Sequence, residues 1–282
     1  MKQHSLIIVA VFGLIVSSCQ KKIDTTSSTT VKQSTSSLYQ SFSENSFSSV
    51  SLNSGLVGYY PFNGNANDLS GNKYNGVVNG ATLTTDRFGK TKSAYLFTGN
   101  PQNITIPNLH QTNILTYTVS GWFQLTQNSG GTIISGDEPL VHPSGLRFAL
   151  GTTQAQWNVE DGWNTNGILT YNNNNFGNNI WHNFTVTFNS IVGLIPASAF
   201  QIYIDGVTIP TLTFQQNWPP GSGFSEGFNV YAPINNGTLP IILGNTMDGS
   251  SNFTNFFPGK LDDIRIYNRI LTQSEITYLA TH

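Results

Sequence analysis

Hydrolysis of a glycosidic bond generally uses two carboxylates placed across that bond, so the acidic residues are the first candidates for chemistry. The 282-residue chain has five glutamates: Glu44, Glu138, Glu160, Glu226 and Glu275. Asp137-Glu138 and Glu160-Asp161 are neighbouring pairs. Neighbours on a strand point to opposite faces, so neither pair reads as an acid and base on one face. Both read as solvated loop charges. No strand carries an alternating Glu-x-Asp-x-Glu, and His110, His142 and His182 stand apart without the spacing of a zinc site. A Gly-x-Ser-x-Gly elbow and a phosphate loop are both missing from the sequence. The residues predict no enzyme.

Aromatic residues among amides offer a different chemistry. A sugar is held by a flat apolar face under its C–H surface and by polar groups at its hydroxyls. Trp157, Trp163 and Tyr171 lie near Asn164, Asn166 and the run Asn172–Asn175, and Trp218 follows Gln215, Gln216 and Asn217. Trp163, Tyr171 and Trp218 are the candidate ligand-binding residues, for a glycan or glycoprotein. The alternative for each tryptophan is that it only anchors its loop. Trp122 and Trp181 sit in strand contexts and read as core packing.

The elements that must position these residues follow from composition. Charged residues make up 9% and aromatics 12% of the chain, which disfavours long solvent-facing helices and favours strands and turns. A formal charge of −2 with 12 basic residues leaves no cationic stripe for nucleic acid. The single cysteine, Cys19, rules out an intrachain disulfide. Residues 1–18 carry Lys2, an apolar run from Leu6 to Val16 and the small pair Ser17-Ser18, the layout of a secretory signal. Val16-Ser-Ser-Cys19 matches a bacterial lipobox, which makes Cys19 a lipidated N-terminus anchored at the outer membrane, on either face. An ordinary signal peptide with a chance cysteine is the alternative. The apolar run is too short for a transmembrane helix. Residues 19–54, rich in Ser and Thr, read as a disordered tether, unless Phe42 to Val50 pairs as an edge strand.

Residues 55–282 read as one domain. Leu115 to Leu125 alternates apolar and polar residues, as does Phe184-Thr-Val-Thr-Phe188. Gln201–Ile204, Asp205-Gly206 and Val207–Ile209 predict a hairpin, because Asp-Gly suits a type I′ turn. Pro240–Leu243 and Leu261–Tyr267 predict further strands. Thr272-Gln-Ser-Glu275 is a capping box that opens one short C-terminal helix, with Ile276 and Leu279 inward. Asp137–Asn179 and Phe214–Gly237 read as long loops or insertions. The fold class is all-β.

Three segments carry a family resemblance. Leu56 to Gly71 with Asn75-Gly76 and Asn79-Gly80-Ala81, then Trp181-His182 and Asp205-Gly206, and finally Gly259 to Ile276 resemble the laminin-G-like, concanavalin A-like jelly-roll domains of bacterial surface lipoproteins. The resemblance implies a two-sheet antiparallel β-sandwich and often a structural calcium. Asp68 lies in an oxygen-rich turn with Asn63, Asn65 and Asn67, and Asp262 and Asp263 lie on the terminal strand. In the family that strand runs beside the N-terminal segment, so Asp68 with Asp262 or Asp263 would ligate the ion, the choice between the two being open. Alternatively, the turn is only a turn and the Asp pair bonds to it without metal. The expected function is a non-catalytic carbohydrate- or glycoconjugate-binding lipoprotein. A protein–protein adhesion module and a divergent glycoside hydrolase are the alternatives.

Overall fold

The computed structural model describes residues 51–107, 109, 116–126, 130–136, 144–150, 154–161, 166–172, 176, 179–189, 200–209, 213–217, 240–247 and 252–282. For 144–145, 154–161, 166–172, 200 and 213–217 only the backbone is described. Cys19 and the segment around it lie outside the described residues, as do Trp163, Trp218, Asp137 and Glu138.

Strands are numbered in chain order. One eight-stranded sheet, sheet A, runs β13 (Val207–Thr208), β12 (Phe200–Ile204), β11 (His182–Asn189), β6 (Thr116–Leu125), β18 (Pro258–Tyr267), β4 (Ala94–Thr98), β3 (Thr82–Thr84). Its eighth strand, β1 (Leu56–Tyr60), pairs with the second half of β18, next to where β4 pairs with the first half. Sheet B, also of eight strands, runs β14 (Thr213–Asn217), β10 (Asn166–Asn172), β9 (Gln154–Asp161), β8 (Ser144–Leu150), β7 (Gly131–Ser135), β15 (Ile241–Leu243), β5 (Asn103–Ile106), β2 (Val77–Asn79). A small ribbon joins β16 (Thr246–Met247) to β17 (Phe253–Thr254). The strand pairings within these sheets are antiparallel.

Period-two patterning explains the layers. On β6, Tyr117, Val119, Phe123 and Leu125 point into the core and are fully buried, and Phe184, Val186 and Phe188 do the same on the neighbouring β11. The two sheets meet where Phe148 of β8 stacks on Phe184 of β11, with ring centroids 5.0 Å apart. Gly121 faces inward between them, and a methyl group there would overlap Ile264 and come within 3.0 Å of Phe184. Gly121→Ala is therefore expected to destabilise the domain by about 1–3 kcal/mol through overpacking. Chemical denaturation monitored by circular dichroism measures it, and an unchanged midpoint would mean that β18 shifts at no cost.

The short-range signals hold locally. Asp205 and Gly206 both adopt positive φ, 51° and 76°, and join β12 to β13 as the type I′ turn requires. The helix α1 (Gln273–Thr281) carries the full capping box between Thr272 and Glu275. Arg269 adds an ion pair to Glu275 at 2.6 Å. With Thr272, that pair holds the Glu275 carboxyl down at about 2. Ile276 and Leu279 pack with Tyr267 and Leu271 on the outer side of sheet A, so the helix covers part of that face.

The stretch 137–179 is different from its sequence reading. It is no long loop, because β8, β9 and β10 run through it and stand side by side between β7 and the edge strand β14 of sheet B. Likewise, Thr213–Asn217 is strand β14. Asn- and Gly-rich sequence between these strands, such as Asn172–Asn175, and polar Gln and Asn within β9 and β14 hide them from a propensity argument. Antiparallel partners on either side supply the pairing that propensity does not.

Candidate functional site

Alternation along a strand fails at one point, and the site grows from that point. On β18, Leu261, Ile264 and Ile266 are buried in the core. The step from 261 to 264 is three residues, although strand period is two. A β-bulge accounts for it: Asp262 pairs with Trp122 and Arg265 with Ser120, so three residues of β18 span two of β6. Asp263 takes φ of 52°, the left-handed conformation in which Asp is tolerated. The bulge therefore turns Asp262 and Asp263 to the same outer face, where a regular strand would have opposed them.

Arg87 reaches both carboxylates from the loop between β3 and β4. Asp86 shapes that loop: its Oδ1 accepts the N–H groups of Phe88 and Lys90 at 2.9 and 2.8 Å. The turn sends Arg87 inward and Phe88 outward, leaving Phe88 70% exposed. Arg87 Nη1 lies 2.5 Å from Asp262 Oδ2 and Nη2 lies 2.7 Å from Asp263 Oδ2. Nη2 also donates to the His282 carbonyl at 2.8 Å, which ties the end of α1 to the cluster. The guanidinium is centred 4.4 Å from the Phe88 ring and 4.7 Å from the Trp122 ring, distances at which a cation is attracted to an aromatic face. Arg265 stands beside Tyr59 in the same way at 4.2 Å. Burial first, and then the Asp263 charge, push the Asp262 carboxyl up to about 7 even though Arg87 pulls it down.

Around this cluster lies a groove of about 380 Å³, whose walls include Tyr59, Arg87, Phe88, Trp122, Asp263 and Arg265. A second pocket of about 220 Å³ shares Arg87, Phe88, Trp122 and His282 with it and adds Trp181 and Thr281. Lys260 Nζ sits 6.0 Å above the Trp181 ring, and Tyr278 stacks in parallel on His282 at 4.0 Å. Trp122 and Trp181 are half-buried here, so they are groove walls and not the core residues that their strand context suggested. Trp122 alternates with the buried Phe123, and that parity alone put it outside. Among the described residues the buried Nε–H groups of Arg87 and Arg265 have no hydrogen-bond partner.

The candidate metal ligands divide between two places. Asp68, 7% exposed, uses both carboxylate oxygens to close its own loop. Oδ1 accepts from Tyr59 N at 2.9 Å and Ser70 N at 2.8 Å, and Oδ2 from Ser70 Oγ at 2.8 Å and Tyr74 N at 3.0 Å. Asn75 Oδ1 in turn accepts from Asp68 N at 3.0 Å. Asp262 and Asp263 face Arg87. A calcium ion needs six to eight oxygen ligands, and a guanidinium already fills the position between the Asp pair. As arranged, these three carboxylates do not fit the ion, and among the described residues no group of three or more His, Cys, Asp and Glu side chains could hold a metal.

The loop aromatics belong to the other sheet. Asn166, the first residue of β10, pairs with Glu160 near the end of β9 and with Asn217 at the end of β14. The described strand ends that bracket position 163 and precede position 218 thus lie side by side. Tyr171 pairs with Ala155, five residues further along β10, about 16 Å away at the rise of a strand. Glu160 and Asp161 pair with Gly145 and Ser144 of β8.

A family model described as the concanavalin A-like lectin/glucanases superfamily matches residues 98–277, from the end of β4 into α1. The chain belongs to this superfamily. Several solved structures share the sandwich at low identity. The binding domain of Paraclostridial Mosquitocidal Protein 1 is 19% identical with a TM-score of 0.56, over 80% of this chain and 52% of that one. The binding domain of botulinum neurotoxin DC in complex with SialylT is 17% identical with a TM-score of 0.54, over 81% and 51%. Domain 4 of AbnA, a GH43 extracellular arabinanase from Geobacillus stearothermophilus in complex with arabinotriose, is 19% identical with a TM-score of 0.51, over 80% and 98%. The chain spans about half the length of the toxin binding domains and nearly all of the arabinanase domain. At these identities the likeness establishes the fold. No curated protein matches the chain in sequence.

Proposed function

We propose that the folded part of this chain is a non-catalytic carbohydrate- or glycoconjugate-binding module, presented from the outer membrane by a lipid on Cys19. The observation that carries the reading is the register at one side of sheet B, where β9 and β14 end beside the start of β10; in the sequence Trp163 falls between β9 and β10, and Trp218 follows β14. Aromatic residues that follow adjacent strand ends in the sequence would form a contact rim of the kind that sugars use. The fold is consistent with binding: one similar structure is a toxin binding domain with SialylT and another is an arabinanase domain with arabinotriose. The acids on and beside the outer face of sheet A support a role without catalysis, since Asp262 and Asp263 on β18 are engaged by Arg87 and Glu275 on α1 by Arg269. Tyr171 contributes least, given its distance from the rim.

The purified protein on a glycan array tests this. Saturable binding to a related set of glycans is expected, and Trp163→Ala or Trp218→Ala should weaken it at least tenfold without changing the thermal midpoint. A blank array from folded protein would overturn the glycan reading in favour of a protein partner. Lipidation at Cys19 predicts detergent partitioning of the expressed protein, abolished in Cys19→Ala.

A further inference from the structure

We propose that the groove on the outer face of sheet A is a second binding site, for one ring of a neutral saccharide, with Phe88, Trp122 and Trp181 as its aromatic walls. It lies on the opposite sheet from the rim described above and does not rest on that reading.

Charge selects the ligand class. Arg87 and Arg265 line the groove with the paired carboxylates Asp262 and Asp263, two charges of each sign within direct contact of one another. An anion would find the guanidinium groups already neutralised, and a cation would have to displace Arg87 from both carboxylates. A neutral ligand meets no such opposition. Asp263 and Arg265, whose side chains are each 17% exposed on the groove wall, offer it carboxylate oxygens that accept hydrogen and guanidinium N–H groups that donate it. A hydroxyl group does both, donating and accepting from one atom.

Shape and apolar surface agree. The 220 Å³ pocket has the size of a single hexose or pentose ring and is walled by three aromatic side chains with Thr281 and His282 at its edge. Phe88, held outward by the Asp86 turn, leaves 70% of its surface in water. An exposed phenyl ring beside two half-buried indoles is a surface that a sugar's C–H face would cover. The larger groove continues past Tyr59 and Arg265, so a second ring has room to follow the first.

The test uses the whole protein labelled with ¹⁵N-tryptophan, and the methyl β-glycosides of glucose, galactose, mannose and xylose as probes, with sialyllactose as the charged comparison. The indole N–H signals of Trp122 and Trp181, assigned with single Trp→Phe variants, should shift saturably with at least one neutral glycoside. Phe88→Ala, at an exposed position that leaves folding intact, should weaken that binding about tenfold, and Phe88→Tyr should retain it. The site is refuted by any of three results: no saturable shift with the four glycosides, shifts confined to Trp157, Trp163 or Trp218, or equal affinity in Phe88→Ala. Tighter binding of sialyllactose through the same indoles would overturn the neutral class. Because the two sites report on different tryptophans, a blank result here leaves the sheet B rim untouched, and a failure of the rim leaves this site standing.

Discussion

Arg87→Ala should lower the stability of the domain by about 3–5 kcal/mol above pH 7, where Asp262 is ionised, the cost of stripping the partner from a buried ion pair. For a domain of this size that corresponds to a fall of about 10 °C in the thermal midpoint. The reason is local. Asp262 is 2% exposed and Asp263 points at the same guanidinium, so above pH 7 removal of Arg87 leaves the two acids facing each other without a counter-charge. The loss should depend on pH with a defined sign. The Asp262 carboxyl is raised to about 7 in the folded protein from an ordinary value near 3.8. Between those values the folded state holds a proton that the unfolded chain has released, so stability from this group falls as pH rises from 4 to 7. Without Arg87 the carboxyl rises further, so the variant should suffer most above pH 7 and least near pH 5. Asp262→Asn should flatten the wild-type profile over the same interval. Urea unfolding at pH 5 and pH 8 measures all three proteins, and an Arg87→Ala loss independent of pH would contradict the assignment.

Asp68→Ala should be nearly as damaging, at about 3–5 kcal/mol. Its carboxylate accepts four hydrogen bonds, three of them from the backbone N–H groups of Tyr59, Ser70 and Tyr74. Each buried N–H left without a partner costs about 1–3 kcal/mol, and water can relieve only part of that cost at a site this enclosed. The side chain pins the loop after β1 to the strand itself, so its loss should also loosen β1 from β18. Asp68→Asn keeps one oxygen and should fall in between. These effects should be the same in excess calcium and in chelator, because N–H groups already satisfy the oxygens. A wild-type thermal midpoint that drops on chelation would instead return Asp68 to a metal site.

The two expectations share a cause that the sequence displayed only in part. Leu261, Ile264 and Ile266 announce an inserted residue on β18 by their broken spacing, and Asp86-Arg-Phe-Gly89 has the composition of a turn. Neither segment identifies the other as its partner. Arg87 and Asp262 are 175 residues apart in the chain, and pairing is decided only when β3–β4 and β18 become neighbours in sheet A. The same holds for Trp122 and Trp181, whose strand context suggested packing until the pleat of β6 placed Trp122 outward.

What the sequence determined by itself was the architecture set by short-range physics. Alternation over four to ten residues produced β6 and β11, the steric freedom of Asp-Gly produced the β12–β13 turn, and the hydrogen bonds between Thr272 and Glu275 opened α1. The family resemblance at the two ends and the centre of the chain agreed with that sandwich. Strands β8 to β10 and β14 needed the tertiary structure, because short strands rich in Gln and Asn or set between Asn- and Gly-rich stretches have little intrinsic strand preference and take it from paired neighbours. The groove on sheet A needed it as well. A charge-balanced cluster is a property of positions in space, and burial, which sets both its stability and its pH dependence, does not exist until the chain has folded.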